Sequence, residues 1–170
     1  MNTALLIARL FFGLGLAAHG AQKLFGWFGG HGLAGTGQFF EMLGLRPGRL
    51  FALAAGFGET GGGLLLALGL LGPVGPAAML LVMLVAALTV HVRNGFFVTG
   101  NGIEMPMLYG MGVLVLAFTG PGDFSLDGVL GLLWLTDDAI ARVAIGAAIA
   151  GALLIVAVRR APERTGAAAS

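Results

Sequence analysis

Five stretches of the chain are apolar with almost no charge: Ala4 to Phe25, Leu50 to Leu71, Ala77 to Val92, Met105 to Gly120 and Ala139 to Val158. A helix needs roughly 20 residues to cross a hydrocarbon core about 30 Å thick. The pattern therefore predicts an all-α fold, a polytopic membrane helical bundle with a four-helix core and a fifth, C-terminal transmembrane helix. The run from Met105 is brief for a full crossing unless its flanks lengthen it or the bilayer thins around it. Between the first two runs, residues 26–47 are glycine-rich and carry Trp27, Phe28, His31, Phe39, Phe40 and Glu41. That is too polar and broken for a span. It predicts an interfacial loop with a short amphipathic helix near Thr36 to Leu43, its aromatics at headgroup level. Gly72-Pro73 and Gly75-Pro76 make the second and third spans a helical hairpin. Residues 120–138 form a loop with four aspartates. Residues 1–158 read as one domain and 159–170 as a short basic tail, disordered past Pro162. No basic residue precedes the first run and Arg9 lies within it, so this run reads as a retained helix and not as a cleaved leader.

Composition agrees with the pattern: 58% of residues are hydrophobic and 10% charged, and the mean hydropathy is +0.96. The lipid bilayer is thus the first partner. A net charge of +1 predicts no nucleic-acid partner, and the absence of cysteine excludes thiol redox catalysis and cysteine-ligated metals within this chain. With five crossings, one side of the membrane holds Lys23, Arg46, Arg49, Arg93, Arg159, Arg160 and Arg164, seven of the nine Lys and Arg. The other side holds the four aspartates of the 120–138 loop. The positive-inside rule then places the C-terminus in the cytoplasm and the N-terminus outside, whereas a run that failed to cross would bring the N-terminus inside.

Candidate chemistry sits on the first two spans. At 100° per residue Arg9, Gly13, Leu16, Gly20 and Lys23 share one face of the first span, with His19 to one side. Glu59 lies near the middle of the second, on a stripe with Ala52, Ala55, Gly56, Gly62 and Gly63. A carboxylate at membrane depth is rare and usually paired. Helical rise puts Glu59 near the midplane, with Arg9 about 8 Å to one side and His19 about 7 Å to the other. Arginine cannot lose its charge, so the expected pair is Arg9–Glu59, with His19 and Lys23 extending a polar path toward the cytoplasmic surface. The bland alternatives are a pair that only sets helix register, a Lys23 that snorkels to the interface, and a His19 that is merely interfacial. His91 and Arg93 read most simply as interfacial anchors. His91, Glu104 and Asp127 are secondary candidates. The histidines at 19, 31 and 91 lack metal-site spacing, so no metal site is assigned. Asp123, Asp127, Asp137 and Asp138 suit a solvated loop better than a divalent-ion site.

The first-span arrangement Arg9, Gly13, His19-Gly20 and Lys23-Leu24-Phe25, the second-span Glu59 followed by Gly62-Gly63 and Gly69, and the later Gly120-Pro121-Gly122 with Ser125-Leu126-Asp127 together resemble the DoxX family of small bacterial membrane proteins. The resemblance runs over roughly residues 5 to 128. It implies a bundle of about four helices in the bacterial cytoplasmic (inner) membrane, with the Arg, His, Lys and Glu positions gathered in its interior. It also implies a link to redox metabolism, since some relatives are subunits of a thiosulfate:quinone oxidoreductase and others associate with superoxide dismutase and a sulfurtransferase. On that basis the expected role is a non-catalytic subunit or anchor of a membrane redox complex, not an enzyme on its own. A quinone is the one cofactor suggested, none being intrinsic, and a soluble or membrane redox enzyme is the expected partner. A proton-coupled or small-molecule transporter using Glu59 and His19, and a purely structural protein, remain the alternatives. Small residues such as Ala144, Ala147, Ala148 and Gly151 on the last run would suit helix pairing either within the chain or between chains of a homo-oligomer.

Overall fold

The structure, a computed structural model, describes residues 2–159. The expected disordered tail past Pro162 lies outside the described residues. In lipid a backbone must satisfy its own hydrogen bonds, and each apolar run does so as a helix. In chain order the helices are α1 (Asn2–Phe25), α2 (Gly32–Met42), α3 (Gly48–Leu68), α4 (Val74–Ala86), α5 (Glu104–Thr119), α6 (Leu126–Leu130) and α7 (Asp138–Ala157). Beyond Ala86 the helix of α4 continues through a π turn, Ala87–His91, and a 3₁₀ turn, Val92–Asn94. Among the described residues α1, α3, the stretch Val74–Asn94 and α7 are long and apolar enough to cross a membrane, while the 16-residue α5 is shorter. At 1.5 Å per residue α5 reaches about 24 Å, short of a full hydrocarbon core. The weak span is therefore the run from Met105, and α7 is no appendage: its Ile145 joins Leu16, Leu66, Met79, Leu80, Val113 and Leu116 in one core.

Local chemistry sets the boundaries. Gly69, at φ +62°, ends α3 by placing its N–H on Leu66 O and the next N–H on Leu65 O. Ser125 caps α6 and Asp137 caps α7, each side chain accepting a backbone N–H two or three residues on. α1 and α3 run antiparallel in close contact. A Cβ built on Gly13 would stand 2.5 Å from Gly63 O and 2.7 Å from Ala67 N, so only glycine permits this approach. α3 and α4 form the expected hairpin, with Gly75 against Gly62. α2 begins four residues before the expected helix and packs on α3. Outward faces carry Ile7, Phe11, Phe57, Leu64, Met111, Val115 and Leu154, as lipid contact requires.

A candidate ligand cavity above a buried ion pair

Glu59 is 2% exposed at the centre of α3, and its partner is Lys23: Nζ lies 2.5 Å from Oε2. Lys23 is in the last turn of α1. Because α1 and α3 are antiparallel, its long stem lies alongside α3 and brings the ammonium back to the carboxylate. The pair lines a cavity of about 380 Å³ bounded by α2, α3 and the end of the α4 helix. Phe39 and Phe40 of α2, Leu45, Phe51 of α3, and Val82 and Val85 of α4 supply apolar walls. The other polar lining comes from Thr89, His91 and Asn101. Thr89 Oγ1 donates back to Val85 O at 2.7 Å, and His91 Nδ1 lies 2.8 Å from Asn101 O. Both Thr89 and His91 belong to the π turn, a departure from α-geometry that often marks functional sites. An apolar pocket of this size with a few convergent polar groups is the usual form of a small-ligand site.

A family model, DoxX, matches residues 4–92, just over half of the 170-residue chain. The chain belongs to the DoxX family. No curated protein and no solved structure matches it. The matched segment of this DoxX protein runs from α1 to the π turn and holds Arg9, His19, Lys23, Glu59 and His91. Glu104, Asp127 and the Gly120-Pro121-Gly122 segment lie beyond it.

The expected Arg9–Glu59 pair does not form. Arg9, 1% exposed, instead donates through Nη1 to Pro121 O at 2.5 Å and through Nη2 to Phe124 O. Its charge is met by Asp127, its electrostatic counterpart. Asp127 is fully buried, which corrects the reading of all four loop aspartates as solvated. It accepts from the N–H groups of Leu71 (2.9 Å) and Gly72 (2.6 Å), while its own N–H donates to Gly69 O. A Cβ on Gly69 would overlap the Arg9 guanidinium, so glycine is needed there for space as well as for its positive φ. Arg9 and Asp127 thus clamp the 120–127 loop to α1 and to the α3–α4 turn, at the pole opposite the cavity-lining residues His91 and Asn101.

The remaining candidates fall in separate places. His19 is exposed on α1, 3.0 Å from Gln22 Oε1 through Nδ1, with its ring edge-on to Tyr109; it lines no part of the cavity. Glu104 caps the preceding loop by accepting from Val98 N at 2.7 Å. Lys23 does not snorkel free but ends on Glu59. Sequence reasoning missed Thr89, Asn101 and the cavity role of Phe39 and Phe40. As a pattern the two phenylalanines point to the headgroup region, and nothing in the run Ala87–His91 distinguishes a π turn from an α turn.

Proposed function

We propose that this DoxX membrane protein is a non-catalytic subunit of a membrane-associated redox assembly, and that its cavity accommodates the head of a quinone-type amphiphile. One observation carries the reading: among the described residues, the ion pair lining an otherwise largely apolar, membrane-level cavity is Lys23 with Glu59, and the two charges neutralise each other. Such a site suits a neutral, largely apolar molecule with a few hydrogen-bonding oxygens. The residues present fit that group, since the ammonium donates, the carboxylate accepts, and phenylalanine rings flank the space. A bound quinone would supply two-electron carrier chemistry; the chain's residues would hold and orient it and keep water away. With no cysteine and no cluster of three potential metal ligands among the described residues, electrons would be exchanged with a partner enzyme. On this reading the basic end of the bundle, bearing Lys23, Arg46, Arg49, Arg93 and Arg159, faces the cytoplasm from a bacterial inner membrane.

Purification from the native membrane into nanodiscs, with mass spectrometry of bound proteins and extracted small molecules, tests this. Stoichiometric quinone or a co-purifying redox enzyme is the expected result. An empty, partner-free bundle overturns it. Proton-coupled flux in proteoliposomes, abolished by Glu59→Gln, would then assign the carboxylate to transport.

A further inference from the structure

The two oxidation forms of a quinone differ in polar chemistry. A dione carbonyl only accepts hydrogen bonds, whereas the hydroxyls of the reduced ring donate as well as accept. The cavity floor offers one group of each kind. Lys23 Nζ, with three donors, uses one on Glu59 Oε2, and among the described residues nothing donates to Glu59 Oε1. A dione can therefore be bonded by Lys23 alone and leaves the second carboxylate oxygen facing an acceptor. A dihydroxy ring satisfies both members, accepting from Lys23 and donating to Glu59. A charged ligand would upset a self-compensated pair at membrane depth, which burial penalises.

We propose that the Lys23–Glu59 pair makes this cavity selective for the reduced, dihydroxy form of a quinone-type amphiphile over its dione, through a hydroxyl that bridges Nζ and Oε1. The proposal rests on the reading of the cavity as a quinone site. One added hydrogen bond to a charged group corresponds to about a ten- to hundredfold preference. By linkage, tighter binding of the reduced form makes reduction easier, so each tenfold preference raises the midpoint potential of the bound two-electron couple by about 30 mV.

The test measures dissociation constants, on the full chain in nanodiscs, for three probes sharing a decyl tail: a 1,4-benzoquinone, its dihydroxy form held reduced under argon, and the dimethyl ether of that form. The dihydroxy probe is expected to bind about ten- to hundredfold more tightly than the dione, with the ether no better than the dione. In Glu59→Gln the amide donates as well as accepts, so the preference should collapse. The wild-type series alone decides the matter if that variant does not fold. A dione that binds as tightly as the dihydroxy probe, or an ether that follows the dihydroxy probe, overturns the selectivity and leaves the quinone reading standing. Binding of none of the three overturns both.

Discussion

A buried charge pair is expensive to form and more expensive to halve. Lys23→Met strands Glu59, which is 2% exposed, and should cost about 3–5 kcal/mol in unfolding from mixed micelles. Replacing both partners together, Lys23→Met with Glu59→Leu, should recover most of that loss while abolishing ligand binding. A double variant as unstable as the single one would show that the carboxylate is held by something other than Lys23. Arg9 gives the complementary test. Its guanidinium bonds Pro121 and Phe124, and no group is shared with Glu59, so Arg9→Gln and Glu59→Gln should be additive to within about 0.5 kcal/mol. The sequence singles out Arg9, Lys23 and Glu59 because charge in an apolar run is conspicuous. It does not reveal who pairs with whom. Depth along a helix is known only to about a turn, a lysine stem spans more than that, and Arg9 is bonded through Nη1 and Nη2 by backbone carbonyls more than 100 residues away, which leave no mark in side-chain pattern.

Between helices, the decisive contacts are made by what is missing. Gly13→Ala puts a methyl 2.5 Å from Gly63 O, and backbone cannot move aside as a side chain would. We expect a loss of about 1–3 kcal/mol, read as a lower unfolding midpoint. Gly61, on the same α3, faces open space: a Cβ there would meet nothing within 4 Å, and Gly61→Ala should be neutral or stabilising by up to about 1 kcal/mol through helix propensity. Equal effects at both positions would show that propensity, not the α1–α3 contact, governs. The helices themselves were legible, because hydrophobic run length reports crossing directly: the expected 50–71 and 139–158 became Gly48–Leu68 and Asp138–Ala157. Less legible was what the interfacial segment does. Phe39 and Phe40 serve the membrane interface and the cavity wall equally well as a sequence pattern, and only the docking of α2 on α3 separates the two.

Five antiparallel or parallel-packed helices give the bundle two chemically distinct ends. At one lie the end of α1, the start of α3, the π turn and the end of α7, with Lys23, Arg46, Arg49, Arg93 and Arg159; at the other lie Asp123, Asp127, Asp137 and Asp138. The two tryptophans are exposed at opposite ends, Trp27 just after α1 and Trp134 just before α7, where interfacial aromatics belong. Three of those aspartates act on the fold locally, by accepting from Asn2, from the α3–α4 turn and from Ala139. Arg46, Arg93 and Arg159 lie in connections or just past helix ends and Arg49 in the first turn of α3, where the translocation machinery counts them. Orientation should therefore follow the basic end. A fluorescent protein fused to the C-terminal end should glow in the cytoplasm, and alkaline phosphatase inserted after Gly131, an open turn position with nothing within 4 Å of a Cβ, should be active on the far side. Because α5 is the one short crossing, phosphatase inserted after Gly95, where a Cβ also meets nothing within 4 Å, should be inactive, and the Gly95 and Gly131 reporters together test whether α5 crosses at all. Phosphatase inactive at both Gly95 and Gly131 would mean that α5 does not cross and that the 120–138 loop stays inside. The clamp of Arg9 and Asp127 would then lie on the cytoplasmic side, which would overturn the orientation drawn from the basic end.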